Sequence, residues 1–263
     1  MGCRSPVLVS AALVLLLCSP TPVQATPTEG RVWGYANAVA VITPWLAYSA
    51  MPGIRYEYSD SEGTAGGIAM YEFFTGPIFM HRIGPLTLKL PIWYYYMGFP
   101  VKSPGQKDKY FSSHNLEVIP IVEFKTGKWK LVNRMILHNK LFADNPVFDT
   151  KDKKRGHSLL LREMIRVFYS LSPTLSLTLA EEVFVGLLED ADTRKIKKGE
   201  PFFEKKGLSM NRLYAGVHWN FAPGFSVSPQ YILETHHDPD DGLNHTRTRH
   251  YIFMTVNYLL KLF

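Results

Sequence analysis

The sequence predicts an all-β chain folded as an antiparallel up-and-down transmembrane β-barrel, and three observations carry that prediction. Apolar and polar residues alternate with period two over long stretches, as they do when successive side chains point to opposite faces of a strand. After the N-terminal region no segment makes the roughly 20-residue apolar run that a membrane helix needs, although 13% of the chain is aromatic. Short and long polar connections take turns along the sequence, the arrangement of bacterial barrels with tight periplasmic turns and long external loops.

The first 25 residues carry one basic residue, Arg4, then an apolar run over 7–17 and the small-residue site Val23-Gln24-Ala25. This pattern predicts a secretory signal peptide cleaved before Thr26, leaving 26–263 as one barrel domain. Both cysteines, Cys3 and Cys18, fall inside the signal, so the mature chain is expected to lack disulfides and cysteine metal sites. Leu17 before Cys18 is too large for the small-residue pattern of lipid attachment. The formal charge of +6 becomes +5 once Arg4 is removed. The excess sits in the loop-like runs 151–155 and 194–206, without the basic stripe interleaved with aromatics that a nucleic-acid binder presents, so nucleic acid is excluded as a partner.

Polar punctuation predicts strands over 32–42, 46–58, 66–80, 84–97, 112–124, 128–142, 156–171, 174–188, 208–221, 224–236 and 247–262. The hairpin over 208–236 is the clearest. Leu213, Ala215, Val217, Trp219 and Phe221 share one face against Arg212, Tyr214, Gly216, His218 and Asn220; after Ala222-Pro223-Gly224, Phe225, Val227, Tyr231 and Leu233 oppose Ser226, Ser228, Gln230, Glu234 and His236. The last strand alternates from Ile252 to Leu262 and ends on Phe263, like an outer-membrane assembly signal, although Phe263 is in phase with Lys261 and Asn257.

These ranges number eleven, whereas single-chain bacterial barrels normally have an even count. A turn at Thr75-Gly76-Pro77 would split 66–80 and give twelve strands, the expectation adopted; fusing the first two ranges across Pro44 would give ten. A barrel closed by sequential hairpins leaves no edge exposed to lipid.

Opposite the apolar faces lies a polar set expected to point into the lumen: Arg134, His138, Arg162, Arg166, Glu182, Arg212, His218, Glu234 and His236, together with Arg55, Glu57, Glu117 and Glu123. Facing lipid, each arginine would cost about 2 to 4 kcal/mol at the bilayer midplane, so Ile165, Val167, Leu213, Val217 and Leu233 are assigned outward. A lumen plugged by salt bridges is expected ahead of a conducting or ligand-binding one. Glu163 and Glu181 fall on the apolar phase, which calls for a register-shifting bulge or a position near the membrane boundary. Trp45, Tyr48, Tyr56, Tyr58, Trp93, Tyr94, Tyr95, Tyr96, Trp129, Tyr169, Trp219 and Tyr258 are expected to form interfacial girdles.

Candidate chemistry is sparse. Ser113-His114 and His157-Ser158 supply nucleophile and base types, but neighbours in a strand point to opposite faces and cannot act together. The run from His236 to Gly242 resembles a calcium loop in composition only, without alternating ligand spacing or a distal glutamate. No catalytic residue, metal site or cofactor is assigned.

The stretches LSPTLSLTLAEEVFVGL (171–187), NRLYAGVHWNFAPGFSVSPQYIL (211–233) and RTRHYIFMTVNY (247–258), with KWKLVNRMILHNKLF (128–142) and Trp33, resemble the domain of unknown function family 2490. The resemblance covers most of the mature chain. It implies an outer-membrane β-barrel and supplies no catalytic residues. The expected role is accordingly a non-enzymatic outer-membrane protein, structural and envelope-associated or a porin-like path for small solutes. The alternatives are an outer-membrane lipid-modifying acyl hydrolase and a secreted soluble β-barrel or sandwich that binds a ligand. Expected partners are outer-membrane lipids, lipopolysaccharide and the barrel-assembly machinery.

Overall fold

The computed structural model describes residues 29–59, 66–100, 110–144, 158–188, 206–237 and 247–262; the expected signal segment 1–25, both cysteines, His157 and Phe263 lie outside them. Twelve strands and no helix occur among these residues: β1 Glu29–Thr43, β2 Leu46–Ser59, β3 Gly67–Ile83, β4 Leu86–Pro100, β5 Tyr110–Val118, β6 Ile121–Thr126, β7 Trp129–Asp144, β8 Ser158–Ser170, β9 Leu175–Leu188, β10 Gly207–Ala222, β11 Phe225–His236 and β12 Arg247–Lys261. Period-two patterning becomes period-two burial. On β11, Ser226, Ser228, Gln230, Ile232 and Glu234 are buried, while Phe225 and Tyr231 are exposed.

Apart from β5 and β6, consecutive strands pair with each other, and the sheet closes on itself through β1 and β12. β5 and β6 share one place in this ring. β4 pairs with β6 through Leu86 to Lys89 and with β5 through Ile92 to Pro100, and β7 divides in the same way on the other side. The break falls at Ile119-Pro120, where proline offers no N–H to a ladder. The ladder is carried across the break by Ile119 N–H donating to the Pro91 carbonyl at 2.9 Å and Met135 N–H donating to the Pro120 carbonyl at 3.0 Å. The twelve strands thus occupy eleven positions around the barrel.

Two details of the sequence expectation are corrected here. Thr75-Gly76-Pro77 is no turn, because β3 runs through it without interruption. A Cβ on Gly76 would strike the Ile92 carbonyl of β4, so this glycine serves close approach of two strands rather than reversal of the chain. Nor is every pair antiparallel. With eleven positions the first and last strands run the same way, and β1 joins β12 in parallel from Glu29↔Arg249 to Val41↔Lys261 without a register shift.

Among the described residues the tight turns all lie at one end of the barrel, after β1, β3, β6, β8 and β10. The buried centre is aromatic: Trp33, Tyr214, Tyr251 and Phe253 pack with Met164, Ala180 and Ile232, and Tyr35 lies against them. Gly53 makes this possible, since a Cβ there would collide with the Tyr35 ring. The wall reverses the pattern of a soluble protein. Its exposed surface carries Ile54, Phe73, Leu88, Leu90, Leu131, Ile165, Leu179, Leu213, Tyr231, Ile252 and Met254.

Candidate functional site

The barrel interior is where ionisable groups concentrate, and four carboxylates organise it. Glu72 of β3 accepts from Arg55 at 2.9 and 3.0 Å, from Trp33 Nε1 and the Tyr35 hydroxyl at 2.8 Å each, and from the Tyr95 hydroxyl. Arg55 also stacks over the Trp33 ring, 3.8 Å from its centroid, a favourable cation–π arrangement. Glu182 of β9 is fully buried, at 0% exposure. Arg134 and Arg162 each approach it at 3.0 Å, Arg212 at 3.8 Å, and the Tyr214 hydroxyl donates to its other oxygen.

Glu234 of β11 holds Arg212 at 2.5 Å, Arg249 at 3.4 Å, the Tyr251 hydroxyl at 2.9 Å, and His236. Glu117 of β5 meets His138 Nδ1 at 2.7 Å and Arg162 at 3.8 Å. Arg162 and Arg212 each touch two carboxylates, so three of the four centres form one connected network across the lumen. Bidentate guanidinium geometry and the added tyrosine donors are what make buried charge tolerable in such a place.

On the short-turn side of this network lies a chamber of about 340 Å³. Arg166 and His218 line it, along with Arg134, Thr178, Ser228, Gln230, Thr255 and Asn257. His218 Nδ1 and Ser228 Oγ are 2.8 Å apart. Phe74, Trp93, Ile119, Ile121 and Ile136 supply aromatic and aliphatic lining on one side, and Met164, Phe168 and Phe253 on the other.

The nine polar residues singled out from sequence therefore divide between two places. Arg134, His138, Arg162, Glu182, Arg212, Glu234 and His236 belong to the network, while Arg166 and His218 belong to the chamber, which Arg134 and Arg162 also border. Sequence reasoning missed Glu72, although it lies within the 66–80 range read as strand. It placed Tyr214 on the polar face but missed the inward tyrosines Tyr35, Tyr95 and Tyr251; the hydroxyls of all four reach a carboxylate. The signal was available in their phase: Tyr251 alternates with Arg249 as Tyr214 does with Arg212.

Two girdle assignments are corrected by the same phase. Tyr95 is buried inside and Trp93 lines the chamber, whereas Trp45, Tyr48, Trp129, Trp219 and Tyr258 are exposed on the wall, as are Tyr56, Tyr58 and Tyr94. Glu163 stays on the outer phase. The only irregularity between β8 and β9 is at Leu159/Leu160, and the Glu163 carboxylate accepts from the Asn133 amide. It faces Met135 and Val183 in mid-strand, with Glu181 one step away opposite Ile165 and Leu213, so neither a bulge nor a boundary position accounts for the pair.

Ser113 is buried and donates to Asn115 at 3.1 Å, while His114 turns to the exposed Tyr94 hydroxyl at 2.6 Å. The two face opposite ways. Ser158 is buried on the interior face. The loop after His237, residues 238–246, lies outside the described residues, and among the described residues no group of three or more His, Cys, Asp or Glu could hold a metal ion.

Comparison with curated proteins finds no match. A family model described as "Protein of unknown function (DUF2490)" matches residues 31–245, from the start of β1 into the connection before β12. With most of the barrel inside that match, the chain belongs to the DUF2490 family.

Proposed function

We propose that this protein is an exported, non-enzymatic β-barrel of the bacterial outer membrane whose lumen is closed by the carboxylate-centred network. One observation carries the reading: a closed barrel with an apolar, aromatic-rimmed wall and its charges gathered inside. Water would favour the reverse distribution, because contiguous exposed apolar surface of this extent is unfavourable outside a membrane or an interface. The interior supports a closed lumen, since Glu72, Glu117, Glu182 and Glu234 and most of their basic partners are consumed in short contacts that span it. In a cell that exports it, the protein partners outer-membrane lipid and lipopolysaccharide on its wall and the assembly machinery on its way in.

Membrane fractionation, planar-bilayer recording and lipid release from labelled vesicles test this together. The expected result is recovery in the outer-membrane fraction as a heat-modifiable band, with neither steady conductance nor lipid release. Recovery as a soluble periplasmic protein would replace the proposal with a secreted binding barrel. Lipid release would replace it with an acyl hydrolase. Small-solute passage is the second reading, favoured by the chamber beneath the network, and a steady conductance would establish it.

A further inference from the structure

We propose that the chamber on the short-turn side of the network binds a small organic anion, one oxyanion group on a flat apolar body, with Arg166 and Arg134 holding the charged end. This rests on the barrel reading above. It adds to that reading a ligand class and a site.

Arg166 is the first ground. Among the described residues no carboxylate pairs with it. Its guanidinium instead lies 5.4 Å from the Tyr214 ring centroid and 6.0 Å from that of Phe168, and its Nε is buried without a hydrogen-bond partner. Ring faces compensate a desolvated cation only in part, and an uncompensated buried charge is costly. An anion in the chamber removes that cost. Arg134 brings a second guanidinium: it shares Glu182 with Arg162 and Arg212, and its Nε is likewise buried and unbonded.

The unsatisfied atoms are the second ground, and they do not depend on charge. Among the lining residues one acceptor, Gln230 Oε1, is buried without a partner; against it stand Trp93 Nε1, Arg134 Nε, Arg166 Nε and Thr178 Oγ, all four buried without partners. Three of these atoms can only donate, and the fourth can donate. A wall with surplus donors selects a ligand rich in acceptors, and a carboxylate or phosphate group provides several on one centre.

The shape of the lining supplies the body of the ligand. On the side from β3 to β7 the lining is mainly apolar, through Phe74, Trp93, Ile119, Ile121 and Ile136, and the two carboxylates there, Glu72 and Glu117, are already held by Arg55 and by His138 and Arg162; the side from β8 to β12 carries most of the uncharged polar groups beside Met164, Phe168 and Phe253. A volume of about 340 Å³ suits a single small molecule. Inorganic phosphate would satisfy one wall only, and a neutral aromatic would satisfy the other.

The test uses the mature barrel refolded in detergent, verified by heat-modifiability, and titrated with benzoate, phenyl phosphate, inorganic phosphate and benzamide. Calorimetry and the fluorescence of Trp33 and Trp93 report binding. Benzoate or phenyl phosphate should saturate the protein, the tighter of the two identifying the oxyanion as carboxylate or phosphate. Benzamide and inorganic phosphate should each bind at least about tenfold more weakly, the loss of one charge-assisted contact or of one apolar wall. Arg166→Gln should weaken the aromatic anion about tenfold, with Arg166→Lys in between. An intact wild-type barrel that saturates with neither aromatic anion overturns the proposal, as does an Arg166→Gln barrel of unchanged affinity. If Arg166→Gln does not assemble, unchanged affinity in both Arg166→Lys and Thr178→Val overturns it. Soluble recovery or loss of heat-modifiability in the wild type counts against the membrane barrel itself, so the two failures are separable.

Discussion

Glu182 and Glu163 are one strand apart and show how position decides what a carboxylate does in this barrel. Glu182 is enclosed by Arg134, Arg162 and Tyr214, and removing one member of such a buried group strands the others. Glu182→Ala should lower the stability of the barrel by about 3 to 5 kcal/mol, the usual cost of breaking a buried pair, read as a lower urea midpoint for loss of the heat-modifiable band. Among the described residues Glu163 has only the Asn133 amide on the outer wall, so Glu163→Leu should leave that midpoint unchanged or raise it. A drop for Glu163→Leu as large as that for Glu182→Ala would mean that Glu163 does not face lipid. The wall makes a graded prediction as well. Leu213 sits in mid-strand, opposite Glu181 and Leu233, whereas Val217 is two residues from the exposed Trp219 and pairs with Leu177. The penalty for arginine is about 2 to 4 kcal/mol at the midplane and falls toward the interfaces, so loss of assembled protein should rank Leu213→Arg, then Val217→Arg, then His218→Ala. A reversed order in heat-modifiability gels would exchange inside and outside.

At the level of the strands, most of the design was legible because alternation is a direct consequence of the pleat. The pattern of β10 and β11 needed no adjustment, and even the 112–124 range was sound as one wall position, although Pro120 divides it into β5 and β6. What misled was chemistry that serves two purposes. Thr75-Gly76-Pro77 has the composition of a turn, yet Gly76 is there because β4 comes so near that a Cβ would meet the Ile92 carbonyl. Gly76→Val should therefore separate β3 from β4 and abolish the heat-modifiable form, while Gly84→Ala in the turn after β3, where a Cβ meets nothing within 4 Å, should cost only the strain of its left-handed φ of 56°. Equal behaviour of the two variants would return 75–77 to the status of a turn. Aromatics raised a similar ambiguity. Trp93 and Tyr95 belong to an aromatic run whose composition suggests an interfacial girdle, and only their phase, opposite to that of Leu88, Leu90 and Tyr94, reveals that they face Glu72 and the chamber. The network itself was legible as a set of inward charges, but the partners were not, because pairing across the lumen joins residues as far apart in sequence as Arg134 and Glu182 and depends on how the ring closes.

Closure is the property of the whole molecule on which the interior depends. The even-number rule argued against a count of eleven, and the barrel satisfies the hydrogen-bonding demand behind that rule by another route: an odd ring closes if its first and last strands run parallel. That closure sets Trp33 beside Phe253, with ring centroids 4.9 Å apart, and brings Arg31 within hydrogen-bonding reach of Tyr251 at 3.3 Å. It also places Glu29 at the long-connection end and Lys261 at the short-turn end. Any other joining of β1 to β12 would part the Glu72 and Glu234 groups and redraw the chamber. Cysteine cross-linking of the refolded 26–263 chain, which has no native cysteine, tests the closure most directly. Ala36 and Val256 are register partners on the outer wall, within the separation a disulfide can bridge across adjacent strands. Ala36→Cys combined with Val256→Cys should oxidise to an intramolecular disulfide in the folded barrel, seen as faster migration after denaturation without reductant, while Ala36→Cys combined with Ile252→Cys should not. Cross-linking of the second pair in place of the first, or of neither in a heat-modifiable barrel, would contradict the parallel closure and the interior built on it.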